Sequence, residues 1–219
     1  MYKRQERYIP DFEPEDYYIT LSARNATVNS INRKELDQLI TPSSLYMAKV
    51  EGKFDARLYP TDLALSLKEG AQVMFIKNDP ERKFVNGTIG KIVQLDMDSI
   101  KVMVFDKGRE RLIDVPKLEW EILRYSVSEK DDSKIETESI GKFTQYPLKL
   151  AWAITIHKSQ GKTFERVIID MGKGAFEHGQ TYVALSRCKT LEGIVLKKPL
   201  RPQDIKVDER VVDFYERHF

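Results

Sequence analysis

The apolar pattern of this chain changes period twice, and that change limits its fold more than any other property. Near the start, residues 17–22 (YYITLS) are aromatic and β-branched, as a short buried strand requires. In the following RNATVNSINRKELDQLI, Val28, Ile31, Leu36, Leu39 and Ile40 fall near helical spacing. Asn25 or Thr27 is placed to cap that helix, and Pro42 follows its end. Residues 67–126 read instead as five short strands, at 72–77, 88–95, 100–105, 111–115 and 119–125. Turn signals separate them, including Asn78-Asp79-Pro80, Asn86-Gly87 and Lys107-Gly108. Strands of this number and spacing predict a small barrel. The stretch EKDDSKIETE (129–138) has little to bury and reads as an exposed loop or linker.

From Leu148 the first pattern returns. LKLAWAITI, RVIID (166–170) and GIVLK (193–197) are strand candidates. HGQTYVALSRC predicts a short helix introduced by Gly179, with Tyr182, Val183 and Leu185 buried. VDERVVDFYERHF predicts an amphipathic helix with Val207, Val211, Phe214 and Tyr215 inward. The chain therefore reads as an α/β domain interrupted by a β-barrel insertion. Its expected divisions are 1–66, 67–146 and 147–219.

Composition narrows the function classes. The 219 residues are 41% hydrophobic and 32% charged, enough for one or two compact domains. No apolar run of about 18 residues occurs, so no membrane-spanning helix or membrane partner is expected. Charges fill the N-terminal MYKRQERYIPDFEPEDYY where a signal peptide needs an apolar core. The single cysteine, Cys188, excludes an internal disulfide and a multi-cysteine zinc site, and suits a reducing compartment. An intracellular location is expected, cytoplasmic in a bacterium. No metal-ligand set stands out. The net charge of +2 supplies no global attraction to nucleic acid, so any such site rests on local arrangement.

The densest polar constellation is residues 153–163, AITIHKSQGKT. A strand ends there in hydroxyls, a His, two Lys, an amide and a Gly. Such a turn offers N–H and hydroxyl donors to phosphate oxygens, or simply connects strand to helix. Gly161-Lys162-Thr163 is not a P-loop, because that pattern needs a Gly at the position of Ile156. The other Gly-Lys pairs lack a following Ser or Thr. The second constellation is residues 179–187, GQTYVALSR. Its Arg187 is either a permanent cation for phosphoryl charge or a surface residue near a helix C-terminus. In the central segment, Lys77, Arg82, Lys83, Phe84, Lys91 and Lys107 are open to two readings, a nucleic-acid surface or a solvated charged face.

These strings resemble a known family. LKLAWAITIHKSQGKTFERVIID is similar to motif V of superfamily 1B DNA helicases of the RecD and Pif type, and GQTYVALSRCKTLEGIVL to their motif VI. ITLSARNATVNSINRKEL resembles motif IV. LKEGAQVMFIKND with VNGTIGKI resembles the start of the SH3-like insertion between motifs IV and V. The resemblance covers about residues 17–197. It implies an α/β RecA-like (P-loop NTPase-like) second helicase domain with an inserted small SH3-like β-barrel.

The resemblance also implies roles. Arg187 would be the arginine finger for ATP, and Arg24 a second γ-phosphate contact. Gln180 would lie beside the same cleft. Gly161 and Thr163 would face the nucleotide or couple to DNA. Thr155, His157, Lys158 and Ser159 would lie along single-stranded DNA, and Asn25 would cap its helix or touch the DNA backbone. ATP and Mg²⁺ would be bound mainly by a first RecA-like domain carrying the P-loop, which nothing before Tyr17 resembles. The expected function is the C-terminal part of a 5′ to 3′ helicase of DNA repair and recombination, inactive by itself. The rival is a non-catalytic nucleic-acid or protein-binding module built on the same half.

Overall fold

The computed structural model describes residues 5–106, 109–128 and 131–218. In chain order the strands and helices begin with β1 (Ile19–Ser22), α1 (Asn25–Gln38), β2 (Ser43–Met47) and β3 (Lys49–Gly52). Then come β4 (Ala64–Lys68), β5 (Gln72–Phe75), β6 (Ile89–Leu95), β7 (Ile100–Asp106) and β8 (Arg109–Val115). A long pair follows, β9 (Leu118–Ser128) and β10 (Asp131–Gln145), then β11 (Leu148–Leu150) and β12 (Ala153–Thr155). The chain closes with β13 (Val167–Asp170), α2 (Gln180–Leu185), β14 (Ile194–Leu196) and α3 (Glu209–His218). It is a mixed α/β chain with several sheets, in two compact units. Unit 1 is Met1–Gln38 with Leu150–Phe219, and unit 2 is Leu39–Lys149.

Unit 1 is built on a parallel sheet in the order β12-β1-β13-β14. Every residue of these four strands is buried, which is why they read as unbroken apolar runs rather than as alternation. α1 packs on β1 and β12 and buries Val28. At the free edge of the sheet, Asn32 of α1 takes the place of a missing strand. Its Nδ2 donates to the Ala153 carbonyl and its Oδ1 accepts from the Ala153 N–H, both at 2.9 Å. An edge that would otherwise leave two backbone groups unpaired is thus closed by one side chain.

Unit 2 is antiparallel. β5 to β8 form successive antiparallel pairs in a five-stranded sheet with β11, in the order β11-β5-β6-β7-β8. β2 pairs with β4, and β10 lies between β3 and β9. The core holds Leu65, Leu67, Phe75, Ile92, Ile100, Val102 and Val104, with Phe75 stacked on Phe84 at 4.0 Å between ring centroids.

Several expectations are corrected. The fifth strand expected in the barrel, 119–125, becomes β9 and pairs with β10 rather than with β8. The expected linker at 129–138 is largely the start of β10, because backbone pairing with β9 needs no apolar side chains there. Residues 129 and 130, and the Lys107-Gly108 turn, lie outside the described residues. LKLAWAITI is two strands, since the chain leaves the five-stranded sheet after β11 and enters the parallel one at β12. The break expected at 66/67 falls inside unit 2, because β4 is tied to β2 by five residue pairs.

Both short C-terminal helices also differ in facing. α2 turns Gln180, Thr181, Ala184 and Leu185 inward, leaving Tyr182 73% exposed. Six residues make under two turns, so one inward stripe excludes the opposite side. α3 forms as expected, but Val207, Val211, Phe214 and Tyr215 are exposed. The amphipathic period is real and does not by itself provide a covering surface.

Candidate functional site

The four parallel strands of unit 1 end on one edge of their sheet, where α/β proteins gather ligands. β1 delivers Arg24 and Asn25 there, β12 delivers the turn at 156–163, and β13 delivers the loop that leads to α2. Both Arg24 and Asn25 are exposed. The Arg24 carbonyl accepts from the Val28 N–H at 3.2 Å, so Arg24 holds the cap position and Asn25 is the first helical residue. The expected capping role of the Asn25 side chain is therefore not the one it takes.

The 156–163 turn separates its residues into two groups. Ser159 is fully buried, and its Oγ donates to the Ile156 carbonyl at 2.6 Å. Thr155 is buried, and its Oγ1 accepts from the Lys158 N–H at 3.3 Å. Both hydroxyls shape the turn, which corrects the expectation that they face a strand of DNA. His157 and Lys158 are exposed, as are Gly161 and Thr163. Gly161 has φ of +73°, a left-handed conformation that an L side chain adopts only at a cost. Further bonds, from Ser159 N–H to the Ile156 carbonyl and from Lys162 N–H to the Ser159 carbonyl, tighten the turn.

Arg187 ties α2 to that turn. Its Nη1 donates to the Lys162 carbonyl at 3.2 Å, its Nε to the Val183 carbonyl at 3.1 Å and its Nη2 to Ser186 Oγ at 2.8 Å. Backbone bonds from Phe164 N–H to the Arg187 carbonyl and from Lys189 N–H to the Phe164 carbonyl secure the same junction. Cys188 lies beside it. Burial pushes its thiol above the ordinary value, and its Sγ donates to the Glu165 carbonyl at 3.2 Å. Gly193 explains how closely these segments meet: a Cβ there would lie 2.1 Å from the Glu165 carbonyl oxygen and 2.7 Å from Cys188 Sγ.

Gln180 is buried inside the edge rather than displayed on it. Its Oε1 accepts from the Phe176 N–H at 3.2 Å. Phe176 is the residue that sequence reasoning missed. The Arg24 guanidinium carbon lies 5.5 Å from its ring centroid, and the His157 ring 6.1 Å away. An aromatic in a glycine-rich loop between a strand and a helix was the available signal.

In unit 2, several of the basic and aromatic residues left open to two readings are engaged within the unit. Phe84 is buried under Phe75, Lys83 pairs with Glu81, and Lys77 lies over the Trp120 ring at 4.9 Å. Lys107 is outside the described residues.

Residues 150–195 match the family model of the UvrD-like helicase C-terminal domain, and residues 56–95 that of the DNA helicase Pif1 2B domain. The chain is 33% identical to an ATP-dependent DNA helicase Pif1 of Bdellovibrio bacteriovorus over 96% of its own length and 46% of the relative's. It is 32% identical to that of Campylobacter jejuni over 93% of its length and 49% of the relative's. Among solved structures, unliganded Pif1 from Bacteroides sp. superposes with a TM-score of 0.87 at 36% identity, over 99% of this chain and 49% of that one. Bacteroides Pif1 bound to ssDNA superposes with a TM-score of 0.75 at 35% identity, over 98% and 48%. The chain thus spans about half the length of these relatives. Motifs at the sheet edge, both family models and a superposition along almost the whole chain agree that it is homologous, over most of its length, to the C-terminal half of the Pif1 helicases of superfamily 1B.

Proposed function

We propose that this chain is the C-terminal part of an ATP-dependent 5′ to 3′ DNA helicase. Unit 1 is read as its second RecA-like domain, and the five-stranded sheet of unit 2 as its SH3-like insertion. The observation that carries the reading is the Arg187–Lys162 joint, which sets a permanent cation from α2 against the turn that follows β12.

In this reading ATP is held mainly by a first RecA-like domain of the same enzyme. Arg187 reaches the γ-phosphate when that cleft closes, and Arg24 is the second cation. Gly161 and Thr163 face the nucleotide or relay its state. Gln180 shapes the wall from behind. His157, Lys158 and Asn25 are the exposed contacts to single-stranded DNA. Closure couples the nucleotide state to movement of this grip along the strand. The named donors at the sheet edge are basic or neutral. Among the described residues no three His, Cys, Asp or Glu side chains gather as metal ligands. Mg²⁺ is therefore assigned to the other domain, and no step here runs through it. With DNA as its track, the enzyme works inside the cell.

The test is Arg187→Ala in the full-length protein. DNA-stimulated ATP hydrolysis should fall at least about a thousandfold while nucleotide binding largely persists. Hydrolysis near the wild-type rate would remove Arg187 from the role and the reading with it.

A further inference from the structure

The ring of Phe176 is 44% exposed, so burial in a core does not explain it. Three segments remote in sequence converge on it: Arg24 after β1, His157 after β12, and its own loop after β13. The His157 ring is tilted by 56° to it, so the pair is not a closed stack. The ring is anchored from behind by the bond from its backbone N–H to Gln180 Oε1. Gln180 is only 3% exposed, and its Nε2 has no hydrogen-bond partner.

We propose that Phe176 is a stacking platform for a nucleobase, flanked by Arg24 and His157 and held in place by Gln180. An aromatic face accepts any base, and the adjoining guanidinium and imidazole suit the phosphates that flank one. The proposal rests on the helicase reading above. It adds a residue and a recognition mode that motifs IV, V and VI do not supply. The same stacking chemistry serves a base of single-stranded DNA or the adenine of a nucleotide, and the two sources are separable.

The experiment uses the 219-residue chain at low and moderate salt, with three variants: Phe176→Ala, Phe176→Leu and Phe176→Trp. The probes are labelled oligo-dT, an abasic strand of the same length, ATP, and inorganic tripolyphosphate. Far-UV circular dichroism and melting, unchanged for so exposed a side chain, confirm folding. If the base comes from DNA, Phe176→Ala and Phe176→Leu weaken oligo-dT binding about tenfold, with the salt slope unaltered. Phe176→Trp retains binding, and the wild type holds the abasic strand no better than Phe176→Ala holds oligo-dT. If the base comes from the nucleotide, the same two variants lose about tenfold toward ATP and nothing toward tripolyphosphate. Wild-type affinity in both arms, or an equal loss toward the abasic strand or tripolyphosphate, overturns the platform. Salt-dependent binding would in that case leave the helicase reading standing. A wild-type chain that binds neither DNA nor nucleotide overturns the platform, while the helicase reading stands or falls by Arg187→Ala in the full-length protein.

Discussion

Arg187 holds its guanidinium against the carbonyl oxygen of Lys162, with Nη1 donating across 3.2 Å. Two more of its nitrogens are engaged by the Val183 carbonyl and Ser186 Oγ. A planar fork reaches three acceptors from one side chain, and a lysine ammonium does not. Arg187→Lys is therefore expected to keep the charge and lose the anchorage. In the full-length protein its DNA-stimulated phosphate release should lie between those of the wild type and Arg187→Ala, at least about tenfold below the former. A wild-type rate for Arg187→Lys would show that the fork geometry is dispensable.

Asn32 closes the β12 edge with a donor and an acceptor to one residue, Ala153. Asn32→Ala leaves both backbone groups unpaired and should cost about 1–3 kcal/mol. Asn32→Asp keeps only the acceptor and sets a carboxylate against the Ala153 carbonyl, so it should not restore stability at neutral pH. Hydrogen exchange at the Ala153 amide is the local readout. Unaltered protection in Asn32→Ala would mean that the edge is held by something else.

Asp204 gives unit 1 an acid-sensitive point. Burial raises its pKa, but this is outweighed by bonds from the Arg201 N–H at 2.8 Å and Arg201 Nη2 at 3.2 Å, so the carboxyl ends below its ordinary value of 3.8. A carboxyl depressed in the folded state contributes stability fully above that ordinary value, and loses it as pH falls through the folded one. Denaturant midpoints of the wild type should therefore drop as pH falls below 3.8. Asp204→Asn should be less stable at neutral pH and show a shallower acid decline. Parallel acid profiles for the two proteins would exclude this carboxyl as the source.

Two glycines are expected to lose stability to different extents on the same substitution. Gly193→Ala drives a methyl against the Glu165 backbone at 2.1 Å and should destabilise by about 2 kcal/mol or more. Gly161→Ala meets nothing within 4 Å and bears only the strain of φ +73°, about 1 kcal/mol. Thermal melts would rank them. Equal losses would contradict the close approach at Gly193.

The parallel strands were legible because burial on both faces leaves a continuous apolar signature, as in Val167–Asp170. Four of the five expected central strands share one sheet for a similar reason: turn residues mark their ends. Partner choice was not legible. Leu118–Ser128 has the period of a strand whichever neighbour it joins, and it joined β10. In the site, Arg187 and His157 stood out by local pattern, whereas Phe176 gains meaning only from Arg24 and His157, which arrive from distant segments. The hydroxyls of Thr155 and Ser159 looked like ligand donors because spacing alone does not say which way a turn faces.

Unit 1 is discontinuous in the chain, and this bears on how the protein is made. β1 pairs in register with β12, Thr20 opposite Ala153, so its sheet stays incomplete until the whole of unit 2 has been synthesised. Unit 2 is one contiguous stretch and is free to fold as it emerges from the ribosome. Until then β1 and α1 wait with apolar faces uncovered, and the long loop must close before those contacts form. The slow, chaperone-dependent stage of biogenesis is therefore expected at the return of β12, the strand that leads directly into the His157–Lys158 turn.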